Sequence, residues 1–172
     1  MNDVIKPPIR ILIADDEEPV LDAYRAVFSD NRPTAGASAL NDMKAKLFKG
    51  SGSEPPGSDV DLFEAHYCRD AEQAVHAVRR SVADGAHFAV VFLDMRMPPG
   101  EDGIWAATHI RESDPEVDIV IATAFSDTDP RQITAKVPPE EKLFYVQKPF
   151  HPHEVRQMAL ALGRSKWSMD NR

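Results

Sequence analysis

The stretch AVVFLDMRMPPGEDG, residues 89–103, decides how this chain folds. Five apolar residues in succession, from Ala89 to Leu93, make a strand covered on both faces, and Asp94 then breaks out at its carboxyl end. Open α/β sheets keep their chemistry at that edge. A strand of this kind needs parallel neighbours and helical cover, and the flanking sequence supplies both.

Upstream, IRILIADDEEP reads as a buried strand over residues 9–14 that closes on the acidic run Asp15, Asp16, Glu17 and Glu18. Pro19 suits the first turn of the helix that follows, with Val20, Ala23, Tyr24, Val27 and Phe28 on one face. DLFEAHYC is a second strand, and DAEQAVHAVRRSVADG a helix with Ala71, Ala74, Val75, Val78 and Val82 inward, ended by Gly85. Downstream, DGIWAATHIRESDP gives a helix stopped by Pro115, VDIVIATAF a fourth strand, and TDPRQITAKV a short helix broken by Pro138 and Pro139. KLFYVQKPF is a fifth strand. Pro152 opens a last helix with Val155, Met158, Ala159 and Leu162 inward and Gly163 behind it, after which RSKWSMDNR either frays or extends it. Strand and helix alternating five times call for an α/β fold: a five-stranded parallel, doubly wound sheet with helices on both faces.

The pattern is interrupted once. NRPTAGASALNDMKAKLFKGSGSEPPGSD is read as an insertion between the first helix and second strand, residues 31–59, with a short helix around Leu40, Met43, Leu47 and Phe48 and a flexible loop. The expected organisation is a tail over 1–8, one domain over 9–163 and a tail or linker over 164–172.

A length of 172 residues with 42% hydrophobic content suits one such domain. Twenty basic against 28 acidic residues leave a net charge of −8, which argues against direct nucleic-acid binding. The single cysteine, Cys68, forms no internal disulfide and reads as a small hydrophobe rather than a reactive thiol. No apolar run resembles a signal peptide or membrane span, so no membrane insertion and a cytoplasmic location are expected.

Because the carboxyl ends of parallel strands lie side by side, Asp15, Asp16, Asp94, Thr123 and Lys148 are expected to share one pocket. Carboxylates that close raise one another's pKa unless a divalent cation neutralises them, and Mg2+ fits an all-oxygen site that retains waters. With Lys148 and Thr123 facing a phosphoryl group's oxygens, Asp94 is the expected nucleophile toward phosphorus. The Arg96 backbone carbonyl is expected to join Asp15, Asp16 and Asp94 on the metal.

The motifs IADD with Asp15 and Asp16, FLDMRMPPGEDG with Asp94, ATAF with Thr123 and QKPF with Lys148 resemble, in that order, the receiver domain of two-component response regulators. The resemblance covers nearly the whole chain apart from residues 31–59 and the two ends. It implies the (βα)5 flavodoxin-like receiver fold and a phosphorylation switch. Asp94 would take a phosphoryl group, with Mg2+, from a sensor histidine kinase or from a small donor such as acetyl phosphate. The domain would catalyse its own modification and hydrolysis, with no other enzymatic activity. Thr123 and Tyr145 would form the switch, and a cis Lys148–Pro149 bond would aim Lys148 into the pocket.

Several features depart from that family pattern: the insertion, an extra residue in MPPGEDG, and a proline-broken fourth helix on the usual signalling face. Arg96 and Phe125 put bulky side chains where water would reach the phosphoryl group, so slow dephosphorylation is expected. Partners beyond the kinase would be a second copy in a homodimer or a downstream effector domain. The chain would also suit the N-terminal regulatory fragment of a larger histidine kinase or cyclic-dinucleotide enzyme. No helix-turn-helix follows Gly163, so no transcription-factor output is expected. A phosphorylation-independent adaptor is disfavoured by the full Asp, Asp, Asp, Thr, Lys set. A small-substrate phosphatase commonly needs an acid where Arg96 stands, and no G-x-G-x-x-G follows the first strand for a dinucleotide. His151 and His153 are expected to be exposed rather than metal ligands, and Trp105 and His109 to pack or face solvent.

Overall fold

The computed structural model describes residues 7–28, 62–124 and 129–170, with the side chains of the last helix described to residue 166. The expected insertion over 31–59 and Phe125 lie outside the described residues. The elements run β1 (Ile9–Ala14), α1 (Glu18–Phe28), β2 (Phe63–Cys68), α2 (Ala71–Ala83), β3 (Val90–Asp94), α3 (Gly103–Ser113) and β4 (Asp118–Thr123). They continue with α4 (Pro130–Lys136), a 3-10 turn (Glu140–Lys142), β5 (Leu143–Gln147) and α5 (Pro152–Asp170). All five strands are parallel, in the order β2-β1-β3-β4-β5.

Strand alternation divides the core between the two faces. Ile9, Ile11 and Ile13 of β1 pack with α1 and α5, while Leu12 and Ala14 pack with α2, α3 and α4. Every residue of β3 is buried, as its apolar run requires. Since β1 lies between β2 and β3, the β1–α1–β2 and β2–α2–β3 connections run over opposite faces of the sheet, and a crevice opens at the carboxyl ends of β1 and β3. Asp15 and Asp94 stand there.

The helices follow the sequence with local differences. In α1 the buried face is Leu21, Tyr24, Val27 and Phe28; Val20 flanks it and Ala23 is exposed, because the stripe is centred one residue further round than the pattern indicates. In α2, Ser81 rather than Val82 takes the last buried position, its hydroxyl satisfied by donating to the Val78 carbonyl at 2.8 Å. Gly85, at φ +67°, ends that helix as expected. The short α4 buries Ile133 and stops at Lys136, ahead of the two prolines.

The last helix does not stop at Gly163. It continues to Asp170, and Gly163 is a buried contact against Ile9, where an added Cβ would lie 2.5 Å from Ile9 Cγ2. Lys166, one turn on, donates to the Phe88 carbonyl at 2.9 Å. The glycine therefore serves packing on β1 rather than termination. Cys68 is buried, and burial pushes its thiol up to about 12, which fits an inert hydrophobe. Among the described residues no helix is long and apolar enough to cross a membrane.

Candidate functional site

Asp15 follows the last residue of β1, and Asp94 is the last residue of β3; pairing of Ala14 with Leu93 sets the two carboxylates side by side. Asp15 is 1% exposed, and one of its carboxylate oxygens accepts the Glu17 N–H at 2.9 Å at the head of α1. Asp16 is exposed. Carboxylate oxygens of Asp15, Asp16 and Asp94 all lie within 4.8 Å of one another.

Lys148 follows β5, and its backbone N–H donates to the Thr123 carbonyl at 2.8 Å, holding the start of the β5–α5 turn against β4. Its Nζ reaches 2.7 Å from Asp15 Oδ2 and 3.0 Å from Asp94 Oδ1, so a single ammonium spans the two buried acids. The Lys148–Pro149 peptide is cis. Burial, and then the Asp15 charge, push the Asp94 carboxyl up to about 6, against the pull of Lys148. For Lys148, burial works to lower its pKa, but hydrogen bonding and charge from Asp15 and Asp94 outweigh it and hold the amine above its ordinary range. The result is a buried carboxylate that binds a proton readily beside an ammonium that stays charged.

The remaining expected residues are nearby but differently engaged. The Thr123 hydroxyl donates to the Ala124 carbonyl at 3.1 Å. Tyr145 is half-buried and points to α4, its hydroxyl 3.2 Å from both the Pro130 carbonyl and Thr134 Oγ1. Arg96 is exposed beyond the end of β3. His151 and His153 are exposed, their rings stacked at 6.0 Å, and the Trp105 and His109 rings meet at 4.2 Å with a tilt of 35° on half-buried positions of α3.

Two residues of the site were not singled out in the sequence. Gly103 opens α3, donates its N–H to the Met95 carbonyl at 3.0 Å, and leaves no room for a side chain: a Cβ would lie 2.0 Å from the Asp94 carbonyl oxygen. The only trace of this in the sequence is a glycine in the first turn of a helix that Asp102 caps, where other residues favour the helix more. Tyr24 was read simply as helix face. It is 1% exposed and packs on Phe150 and Phe92; burial and the charges of Asp15 and Asp94 raise its phenol pKa, keeping it protonated.

An open groove of about 800 Å³ lies away from the acids, between β2 and α2, lined by Arg10, His66, His76, Arg80 and Phe88 among others. Arg10 there is paired with Glu64 at 2.9 Å and lies over the Phe88 ring, so this cation already has partners. The chemistry is concentrated in the acidic crevice.

The oxygen-only donors of Asp15, Asp16 and Asp94 fit a hard divalent cation such as Mg2+. Lys148 pairs with two of those carboxylates. Lys148→Met is therefore expected to raise Mg2+ affinity several-fold by removing a competing cation, and to lower the melting temperature without metal, the loss recovering as Mg2+ is added. Calorimetric titration and thermal melts with and without Mg2+ check this; weaker Mg2+ binding in the variant would contradict it.

Together the order of strands and the acidic crevice with its lysine define a doubly wound α/β protein of the receiver type. A family model described as the response regulator receiver domain matches residues 59–160, more than half of the chain, and the chain belongs to that family. The matched range begins beyond β1, so Asp15 and Asp16 lie outside it and reach Asp94 through the β1–β3 pairing. The oxygen regulatory protein NreC of Staphylococcus epidermidis is 42% identical over 59 residues, which are 34% of this chain and only 22% of that protein. A response regulator receiver protein from Sinorhizobium medicae has the same fold at 19% identity and a TM-score of 0.58, covering 91% of this chain and 95% of its own. A CheY-like receiver domain protein from Methanospirillum hungatei does so at 14% identity and 0.61, covering 94% and 99%. The expected receiver fold is thus present, and membership of the family is consistent with two-component signalling.

Proposed function

We propose that the chain is a phosphoacceptor switch in which Asp94 receives a phosphoryl group from a sensor histidine kinase. The observation that carries this reading is the constellation of Asp15, Asp16 and Asp94 within 4.8 Å, with Lys148 spanning Asp15 at 2.7 Å and Asp94 at 3.0 Å. Asp15, Asp16 and Asp94, with the Arg96 carbonyl, are the residues that would hold Mg2+. When bound, the cation neutralises phosphoryl charge.

A carboxylate oxygen of Asp94 forms the bond to phosphorus as the bond to the donor breaks, whether to a histidine nitrogen or to the carboxyl oxygen of acetate. The leaving group departs with the bonding pair. Lys148 stabilises the charge spread over the equatorial oxygens. Thr123 joins it once its hydroxyl turns from the Ala124 carbonyl, and Tyr145 responds by leaving Pro130 and Thr134 on α4. The domain occupies residues 9–163, with the insertion over 31–59 and a linker over 164–172 that begins as helix. A cytoplasmic location accords with a kinase donor, and the output passes to a second copy or an effector domain.

Intact mass after incubation with acetyl phosphate tests the reading. A gain of one phosphoryl group is expected in the wild type, dependent on Mg2+ and absent in Asp94→Asn. If neither acetyl phosphate nor a kinase phosphorylates the wild type and beryllofluoride does not bind it, the adaptor reading takes its place.

A further inference from the structure

Resting on the phosphoacceptor reading, we propose that Tyr24 is a positioning residue that seats Lys148 against the acids. Its ring lies at the meeting point of the elements that carry the chemistry. On one side it packs on Phe92, with centroids 5.8 Å apart, two residues before Asp94 on β3. On the other it packs on Phe150, 4.8 Å away, two residues after Lys148 in the turn leading to α5. Tyr24 itself belongs to α1, whose head is tied to Asp15 through the Glu17 N–H, and it stacks along that helix on Phe28 at 6.4 Å. One buried ring therefore braces the strand bearing the acceptor and the turn bearing the ammonium.

The consequence is specific to the amine. Lys148 must cross from β5 to reach both Asp15 and Asp94, and its side chain is only 19% exposed, so a small outward movement of its turn would open both contacts. Phe150 is half-buried and rests on Tyr24, which opposes that movement. The three carboxylates come from β1 and β3, whose pairing does not involve the β5–α5 turn. Metal binding and phosphoryl transfer are therefore expected to respond differently to loss of the ring.

The test compares wild type, Tyr24→Phe and Tyr24→Leu, measuring Mg2+ affinity by titration and the rate of phosphorylation by acetyl phosphate at saturating Mg2+. Tyr24→Leu is expected to lose about tenfold in rate while its Mg2+ affinity is held or rises as Lys148 withdraws from the acids, and Tyr24→Phe, which keeps the ring, is expected to restore the rate. A residue that only fills the core would lower the melting temperature without this split. A wild-type rate in Tyr24→Leu, a parallel loss of Mg2+ affinity, or a Tyr24→Phe variant as slow as Tyr24→Leu overturns the proposal. Should Tyr24→Leu fail to fold, the half-buried Phe150→Leu replaces it, with the same split expected and the same outcomes against it. Absence of phosphorylation in the wild type overturns the phosphoacceptor reading itself; a phosphorylated wild type beside an unaffected Tyr24→Leu overturns only the role of Tyr24.

Discussion

Gly103→Ala is expected to slow phosphoryl uptake by Asp94 about 10- to 100-fold while leaving the overall fold intact. The added methyl carbon would lie 2.0 Å from the Asp94 carbonyl oxygen, 2.9 Å from its carbonyl carbon and 3.2 Å from Met95 Cα. All three neighbours are backbone, so no side-chain rotation relieves the clash. Either α3 must retreat or the end of β3 must shift, and the second moves the acceptor away from Lys148. Overpacking of this kind costs about 1–3 kcal/mol, which for a chain of this size lowers the melting temperature by several degrees. Phosphorylation kinetics with acetyl phosphate and a thermal melt read both effects; a variant with wild-type rate and stability would show that the helix start yields freely.

Asp94→Asn is expected to abolish phosphorylation yet stabilise the metal-free protein at neutral pH. Burial and Asp15 push the native Asp94 carboxyl up to about 6, whereas in the unfolded chain it titrates near 3.9. The folded state binds this proton more tightly, so wild-type stability falls as pH rises between those values and then stays level. Asparagine carries no such penalty. The full shift, which already includes the attraction of Lys148, would correspond to roughly 3 kcal/mol; solvent screening in the open crevice reduces it, so a gain of about 1–2 kcal/mol above pH 6 is expected. That gain shrinks toward zero below about pH 4 and is offset by Mg2+, which binds the wild type better. Denaturant unfolding in a chelator from pH 4 to 8 measures it. A difference that grows toward acid would reverse the sign and refute the assignment.

Much of the site is legible in the sequence because the rule behind it is topological. Parallel strands joined by helices must present their carboxyl ends together, so Asp15, Asp16, Asp94, Thr123 and Lys148 had to be neighbours once the five strands were recognised. Apolar runs and helical periodicity sufficed for that. Where the periodicity is ambiguous by one residue, as at Val20 against Leu21 or Val82 against Ser81, packing between elements chose the face. For the tail after Gly163 the sequence leaves fraying and helix extension open; the contact of Gly163 with Ile9 seats the helix on β1, and α5 continues past it.

By itself, then, the sequence determined the alternation of strands and helices, the strand ends that carry carboxylates, hydroxyl and amine, and hence the kind of pocket they form, since these follow from local pattern and chain direction. Only the tertiary structure decided that Lys148 spans Asp15 and Asp94, that the Thr123 hydroxyl and Tyr145 are held by other partners, that Gly103 touches the acceptor's backbone, and that Tyr24 lies between Phe92 and Phe150. Apart from the Thr123–Ala124 hydrogen bond, those contacts join residues from different elements of the chain. Their rotamers and spacing depend on how complete elements pack together, which no window of neighbouring residues encodes.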